Sequence, residues 1–124
     1  MLRMGVERRK HARLKVRVAV GLRPEGYEEW IRVETADLSL GGCYVEILLT
    51  LEVGTQLDMT LQLGDSTLLA RGEVVTCDRT VGNGIRFTRM MSDDREKFDY
   101  FLRAVEREQK ANVVPAEDAT RKTG

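Results

Sequence analysis

Leu14-Lys15-Val16-Arg17-Val18-Ala19-Val20-Gly21-Leu22 sets an apolar residue at every second position, with basic or small residues between. A period of two puts the leucines and valines on one face of an extended chain, the pattern of a half-buried β-strand. Moving outward, Arg23-Pro24-Glu25-Gly26 is a turn signal. Alternation returns from Trp30 to Thr35, breaks at Asp37-Leu38-Ser39-Leu40-Gly41-Gly42, and resumes from Cys43 to Leu51. After Gly54, Leu57, Met59, Leu61 and Leu63 alternate with Asp58, Thr60 and Gln62. Gly64-Asp65-Ser66 turns the chain into a long strand over Thr67–Cys77, and Val81-Gly82-Asn83-Gly84 leads into Ile85-Arg86-Phe87.

Six short strands, with little room for crossover helices, predict an all-β antiparallel barrel or sandwich. A barrel is preferred, because closure leaves a small domain no sheet edge to protect. The period then switches. Ser92 can cap a helix whose first turn holds Asp93 and Asp94, suited to the positive end of a helix dipole. Phe98, Phe101, Leu102 and Val105 follow at i, i+3, i+4 and i+7, one apolar stripe that packs on the barrel or closes one of its mouths. Met90 and Met91 are assigned beneath this helix and Trp30 to barrel packing. The expected organisation is a flexible basic arm over 1–13, a barrel with its C-terminal α-helix over 14–110, and a disordered polar tail over 111–124.

A chain of 124 residues with 42% hydrophobic residues suits one domain. Nothing approaches the run of about 18 apolar residues that a membrane span needs. Basic residues near the N-terminus are not followed by an apolar stretch, so no secretory signal is expected and a cytoplasmic protein is the default. Cys43 and Cys77 both sit in strand-like segments and read as reduced core thiols rather than a disulfide. With His11 the only histidine, no zinc site is expected. The net charge of zero conceals a division: residues 1–23 carry eight Lys/Arg and one acid, leaving twelve Lys/Arg against nineteen Asp/Glu beyond. That split points to an anionic partner at the N-terminus.

Two groups of residues carry chemistry. Arg8-Arg9-Lys10-His11-Ala12-Arg13 ends the arm, and Arg9 and Arg13, four apart, share a side in a helical or an extended chain. Paired guanidinium forks suit a phosphodiester or the O6/N7 edge of guanine, and they stack on purine faces. Taken alone, such a cluster is as easily a solvated arm. Asp37-x-Ser39-x-x-Gly42 is the second group. Its carboxylate can accept from the N–H groups of guanine's Watson–Crick side, its hydroxyl can donate to an oxygen, and Gly42 permits close approach of ligand or backbone. Ordinary turn chemistry uses the same residues.

Together, at this spacing, the two groups resemble the PilZ family. Members carry Arg-x-x-x-Arg on an N-terminal segment and Asp/Asn-x-Ser-x-x-Gly on an early barrel strand. Here these read Arg9-Lys10-His11-Ala12-Arg13 and Asp37-Leu38-Ser39-Leu40-Gly41-Gly42, with no departure. Ala70–Val75 and Gly82–Phe87 resemble the family's late strands and Ser92–Phe98 the start of its helix, so the resemblance covers roughly residues 7–105.

The resemblance implies a PilZ-like six-stranded barrel and a receptor for cyclic di-GMP. Arg9 and Arg13 would hold its phosphates and guanine edges, Asp37 and Ser39 would bond a guanine, and Gly42 would keep the pocket open. Arg8 would favour a second, intercalated ligand molecule. No cofactor and no catalysis are expected: nothing pairs a nucleophile with a base. His11 has no evident partner, Gly82-x-Gly84 lacks a phosphate-loop signature, and Arg86 is expected to face outward without touching ligand. Ligand binding would draw the arm onto the barrel and change the surface offered to a protein partner, in a monomer or homodimer. Motility, polysaccharide production and attachment are the outputs implied.

Two rival readings remain. A PilZ adaptor acting by protein contact without nucleotide would typically lack the five motif residues present here. A small barrel binding RNA or single-stranded DNA would need exposed aromatic residues beside the basic patch. Only Tyr27, Trp30, Tyr44, Phe87, Phe98, Tyr100 and Phe101 are aromatic, and three of them fall in the expected helix.

Overall fold

The computed structural model describes the backbone of residues 11–123 and the side chains of residues 11–111. Six strands follow one another: β1 (Ala19–Pro24), β2 (Ile31–Leu38), β3 (Gly42–Glu46), β4 (Gln56–Leu63), β5 (Ser66–Asp78) and β6 (Gly82–Met90). All pair antiparallel and close a barrel in the order β1-β2-β3-β6-β5-β4. Closure comes from β1 against β4, with Val20 opposite Leu61 and Leu22 opposite Met59. The inward residues of the alternating pattern fill the interior: Leu22, Leu38, Val45, Leu57, Met59, Leu61, Leu68, Val74 and Ile85 are buried.

One helix, α1 (Ser92–Thr123), follows β6 directly. Ser92 is its first helical residue rather than its cap, and the carbonyl of Met91 accepts the bond from Arg95 N. The expected stripe does pack on the barrel. Phe98 is fully buried, Leu102 nearly so, and the Phe98 ring meets Phe87 edge-on at a centroid distance of 5.7 Å. Gln109 Nε2 donates to the Lys15 carbonyl oxygen at 2.8 Å, tying the helix to the chain segment before β1.

Several sequence boundaries move, each for a physical reason. The first strand was expected over Leu14–Leu22, yet β1 begins at Ala19. Between Thr35 and Asp37 a bulge shifts the register of β2 against β3. On the other side of β2, the buried Thr35 hydroxyl accepts from Val18 N at 2.9 Å and donates to the Val16 carbonyl oxygen at 2.7 Å. A side chain thus takes the place of ladder bonds there, while Leu14 and Val18 still point inward.

Gly82-Asn83-Gly84 was expected to lead into a strand but lies within β6, paired to β3 and β5. The turn falls earlier, where Thr80 adopts a φ of 62°. Asn83 is buried and clamps the β3–β4 connection, donating to the Leu51 carbonyl oxygen at 2.9 Å and accepting from Leu51 N at 2.8 Å. That docking, with Ile47 N donating to the Val81 carbonyl oxygen, ends β3 at Glu46 instead of continuing it to Leu51. Met91 is corrected too, being 74% exposed rather than beneath the helix. Trp30 packs on the barrel from outside, its Cε3 3.2 Å from where a Gly21 Cβ would stand and its ring centroid 4.8 Å from the Arg23 guanidinium.

Candidate functional site

Arg13 reaches the barrel because its neighbour is pinned there. Leu14 and Leu38 exchange both backbone hydrogen bonds at 2.9 Å, an isolated antiparallel bridge beside the end of β2. The pair fixes residue 13 next to residue 37, and Arg13 Nη2 donates to Asp37 Oδ2 at 2.8 Å. Arg8 and Arg9 lie outside the described residues.

Asp37 follows the β2 bulge, which turns it outward beside Tyr44 of β3, while Leu38 returns to the core. The chain then reverses over Ser39-Leu40-Gly41-Gly42, closed by Ser39 N donating to the Gly42 carbonyl oxygen at 2.8 Å. Ser39 Oγ accepts from Gly41 N at 3.1 Å and Gly42 N at 3.2 Å. The hydroxyl therefore shapes the turn. Its proton has only a long 3.4 Å contact with the Gly42 carbonyl oxygen. The requirement for glycine at 42 comes from β6: a Cβ there would collide with the Ile85 carbonyl oxygen and crowd Arg86 Cα. His11 packs against Gly41, its Cδ2 3.3 Å from where a Cβ would stand.

Arg13, Ser39, Gly41 and Gly42 share one cleft of about 280 Å³, whose other wall is Tyr44, Thr76, Gly84 and Arg86. Asp37 sits at its edge through the bond to Arg13. Sequence reasoning left Tyr44 and Arg86 out of the site. Arg86 does face outward, held by Glu73 at 2.6 Å, but outward here is into this cleft. The available signal was register: Gly42 stands opposite Arg86, so the strand carrying the arginine is the immediate neighbour of the turn.

Tyr44 Oη donates to Asp78 Oδ2 at 2.7 Å, and that bond pushes the phenol's pKa up to about 12. Burial pushes the Cys43 thiol to about 12 as well, with the charge of Asp37 adding to it. Both cysteines are free thiols, Cys43 buried and Cys77 half-buried rather than in the core. Among the described residues, no three His, Cys, Asp or Glu side chains converge as a metal site, and no helix is long and apolar enough to cross a membrane.

A second cleft of about 380 Å³ lies on β1, β4, β5 and the end of β6, lined by Trp30, Leu69, Met90 and Met91 with Arg23, Asp58, Arg71 and Arg89. Its charges are largely spent on one another: Arg23 and Arg71 bond Asp58 at 3.0 and 2.7 Å, and the Arg23 bond leads in holding that carboxyl below its usual range. Of the motif residues within the described part, Arg13, Asp37, Ser39 and Gly42, none lines it, although it is the larger space of the two.

The fold is similar to solved structures. The PilZ domain of YcgR from Escherichia coli, solved with c-di-GMP, superposes with a TM-score of 0.70 at 16% identity, over 86% of this chain and 97% of that one. YcgR from Escherichia coli in complex with c-di-GMP gives 0.74 at 16% identity, over 88% and 50%. The Bacillus subtilis inhibitor of motility MotI/DgrA gives 0.69 at 18% identity, over 83% and 52%. The chain thus spans about half the length of the latter two. No curated protein matches it. The PilZ domain model matches residues 7–104, which takes in both motifs, the barrel and the packed turns of the helix; the chain belongs to the PilZ domain family.

Proposed function

We propose that this chain is a receptor for cyclic di-GMP that signals through a protein partner and carries out no chemistry of its own. The observation that carries the reading is the meeting of Arg13 with Asp37 at the mouth of a cleft that also holds Ser39 and Gly42. A guanidinium beside a carboxylate offers donors for phosphate or for the O6/N7 edge of guanine, next to an acceptor for its N–H groups. Asp37, with a side chain 19% exposed, accepts from Arg13 through Oδ2. Arg9, four residues before Arg13, would supply the second fork from the arm. The c-di-GMP named for the YcgR structures supports the same ligand here.

In this reading ligand neutralises the arginines of residues 1–13 and draws the arm onto the barrel, so the protein shows its partner a new surface. Arg8 adds a guanidinium that favours binding two ligand molecules in place of one; an Arg8→Leu variant that still bound two would contradict that part. Partner contact is supported by exposed Leu48, Leu49 and Val53 in the β3–β4 connection, with Val81 exposed in the facing turn. Motility is the output favoured by MotI/DgrA, and the cytoplasm the proposed location.

Thermal melting with and without nucleotide tests the ligand. Cyclic di-GMP at about 100 times its Kd should stabilise the barrel by about 2.7 kcal/mol, whereas GMP at the same concentration should leave the midpoint unmoved. An unchanged midpoint with cyclic di-GMP at millimolar concentration would contradict the reading. A nucleotide-independent adaptor would then be the better account.

A further inference from the structure

The motif residues line only one side of the cleft. Across β2, β3, β6 and β5 a lateral row runs Asp37–Tyr44–Gly84–Thr76, and the next row towards the turn runs Gly42–Arg86–Glu73. A register shift between Val74 and Thr76 lets Glu73 and Thr76 both face outward. In and beside the first of these rows β6 contributes glycines, Gly84 and Gly82, where β2, β3 and β5 contribute side chains; in the second it contributes Arg86.

Those glycines have specific neighbours. A Cβ on Gly82 would stand 2.6 Å from Tyr44 Cε2 and 2.8 Å from Cζ, so the Tyr44 ring lies down over the Gly82 backbone. Its hydroxyl is tethered to Asp78 at 2.7 Å, which fixes the ring in that position. The half-buried ring is thereby held against the strand while still lining the cleft. Arg86 is fixed through one nitrogen by Glu73 Oε1 at 2.6 Å, and a guanidinium has five N–H donors. A tethered aromatic ring and a tethered guanidinium therefore face the same space as Arg13.

We propose that Tyr44 and Arg86 form a second half of the ligand site, Tyr44 stacking a guanine base and Arg86 binding a phosphate of the same cyclic dinucleotide. The proposal rests on reading the cleft as a cyclic di-GMP site. A ligand with two bases and two phosphates extends beyond what Asp37, Ser39 and one arginine pair can engage, and the path from Arg13 across Gly42 leads onto Arg86 and Tyr44.

Titration calorimetry on the wild type, Tyr44→Phe, Tyr44→Leu, Arg86→Gln and Asp37→Ala, with melting curves as a fold control, tests it. Tyr44→Phe should stay within about threefold of wild-type affinity, and Tyr44→Leu should lose roughly tenfold, the scale of one base–aromatic stack. Arg86→Gln should lose about tenfold, the scale of one charge-assisted hydrogen bond. A guanine H8 proton should also move upfield on binding to the wild type and Tyr44→Phe, and not with Tyr44→Leu, a readout that mere loosening of the fold does not produce. Wild-type affinity and an unchanged H8 shift in Tyr44→Leu and Arg86→Gln, with Asp37→Ala impaired, would overturn this proposal and leave the receptor reading intact. No binding to the folded wild type would overturn both.

Discussion

Arg13 and Asp37 stand 24 residues apart in the chain and meet at 2.8 Å, because Leu14 and Leu38 bridge the arm to the end of β2. The ion pair joins the two sequence motifs at the edge of the cleft. Its side chains are 42% and 19% exposed, so it adds little to stability on its own, at most about 1 kcal/mol.

That imbalance separates a binding role from a structural one. Asp37→Ala should leave the melting midpoint nearly unchanged while weakening cyclic di-GMP binding by about 100-fold, the loss of one or two hydrogen bonds to a charged acceptor. Arg13→Ala should weaken it by tenfold or more on the same scale of about 1.5–3 kcal/mol. A large stability loss with unchanged affinity would assign both residues to the fold instead.

The joint between arm and barrel depends on Thr35. Thr35→Val keeps the shape but strands Val18 N–H and the Val16 carbonyl, which the hydroxyl now serves. A stability loss of about 1–3 kcal/mol is expected by chemical denaturation. Loosening the segment that carries Arg13 should also weaken ligand binding, whereas an unaffected affinity would show that Arg13 is positioned some other way.

Adjacent glycines should differ sharply. Gly42→Ala drives a methyl into the Ile85 carbonyl oxygen of a paired strand, backbone that cannot swing away. It should cost about 1–3 kcal/mol, as overpacking does. Gly41→Ala meets only the His11 ring and the Ser39 hydroxyl, at 3.3 and 3.8 Å, and should be tolerated. Equal melting points for the two variants would refute the close β3–β6 approach.

Much of this was legible in the residues. The alternating runs around Leu22, Val45, Leu61 and Val74 announced inward faces, and a buried face leaves a strand little freedom of register. Phe98 and Leu102 announced the helix face in the same way. What the sequence hid were effects of partners distant in the chain. The Thr35 hydroxyl substitutes for ladder bonds, Asn83 ends β3 by clamping Leu51, and Gly82 and Gly84 resemble a turn yet serve a strand. Arg13, Asp37, Ser39 and Gly42 were legible through their spacing, and the structure brings them together around one cleft and its edge. Tyr44 and Arg86 were not, because only the β3–β6 register reveals that they share that space.

Tyr44 gives the surface a pH signature. Its phenol is raised to about 12, chiefly by the bond to Asp78. A raised pKa stabilises the folded state below the ordinary phenol value of about 10, and that contribution is lost as pH climbs through the folded value. Alkaline absorbance titration of the wild type against Tyr44→Phe should isolate one phenol ionising near 12. Asp78→Ala should bring it back towards about 10. A Tyr44 that ionises near 10 with Asp78 intact would contradict the tether.

The central claim is that the two motifs make one nucleotide receptor, and titration calorimetry addresses it most directly. Cyclic di-GMP, GMP and cyclic di-AMP are each titrated into the wild type and into the Arg9→Ala/Asp37→Ala double variant. Binding of cyclic di-GMP alone, abolished in a double variant whose barrel still melts cooperatively, is the predicted result. A folded wild-type protein that takes up no cyclic di-GMP, or a double variant that binds it as well as the wild type, would contradict the account.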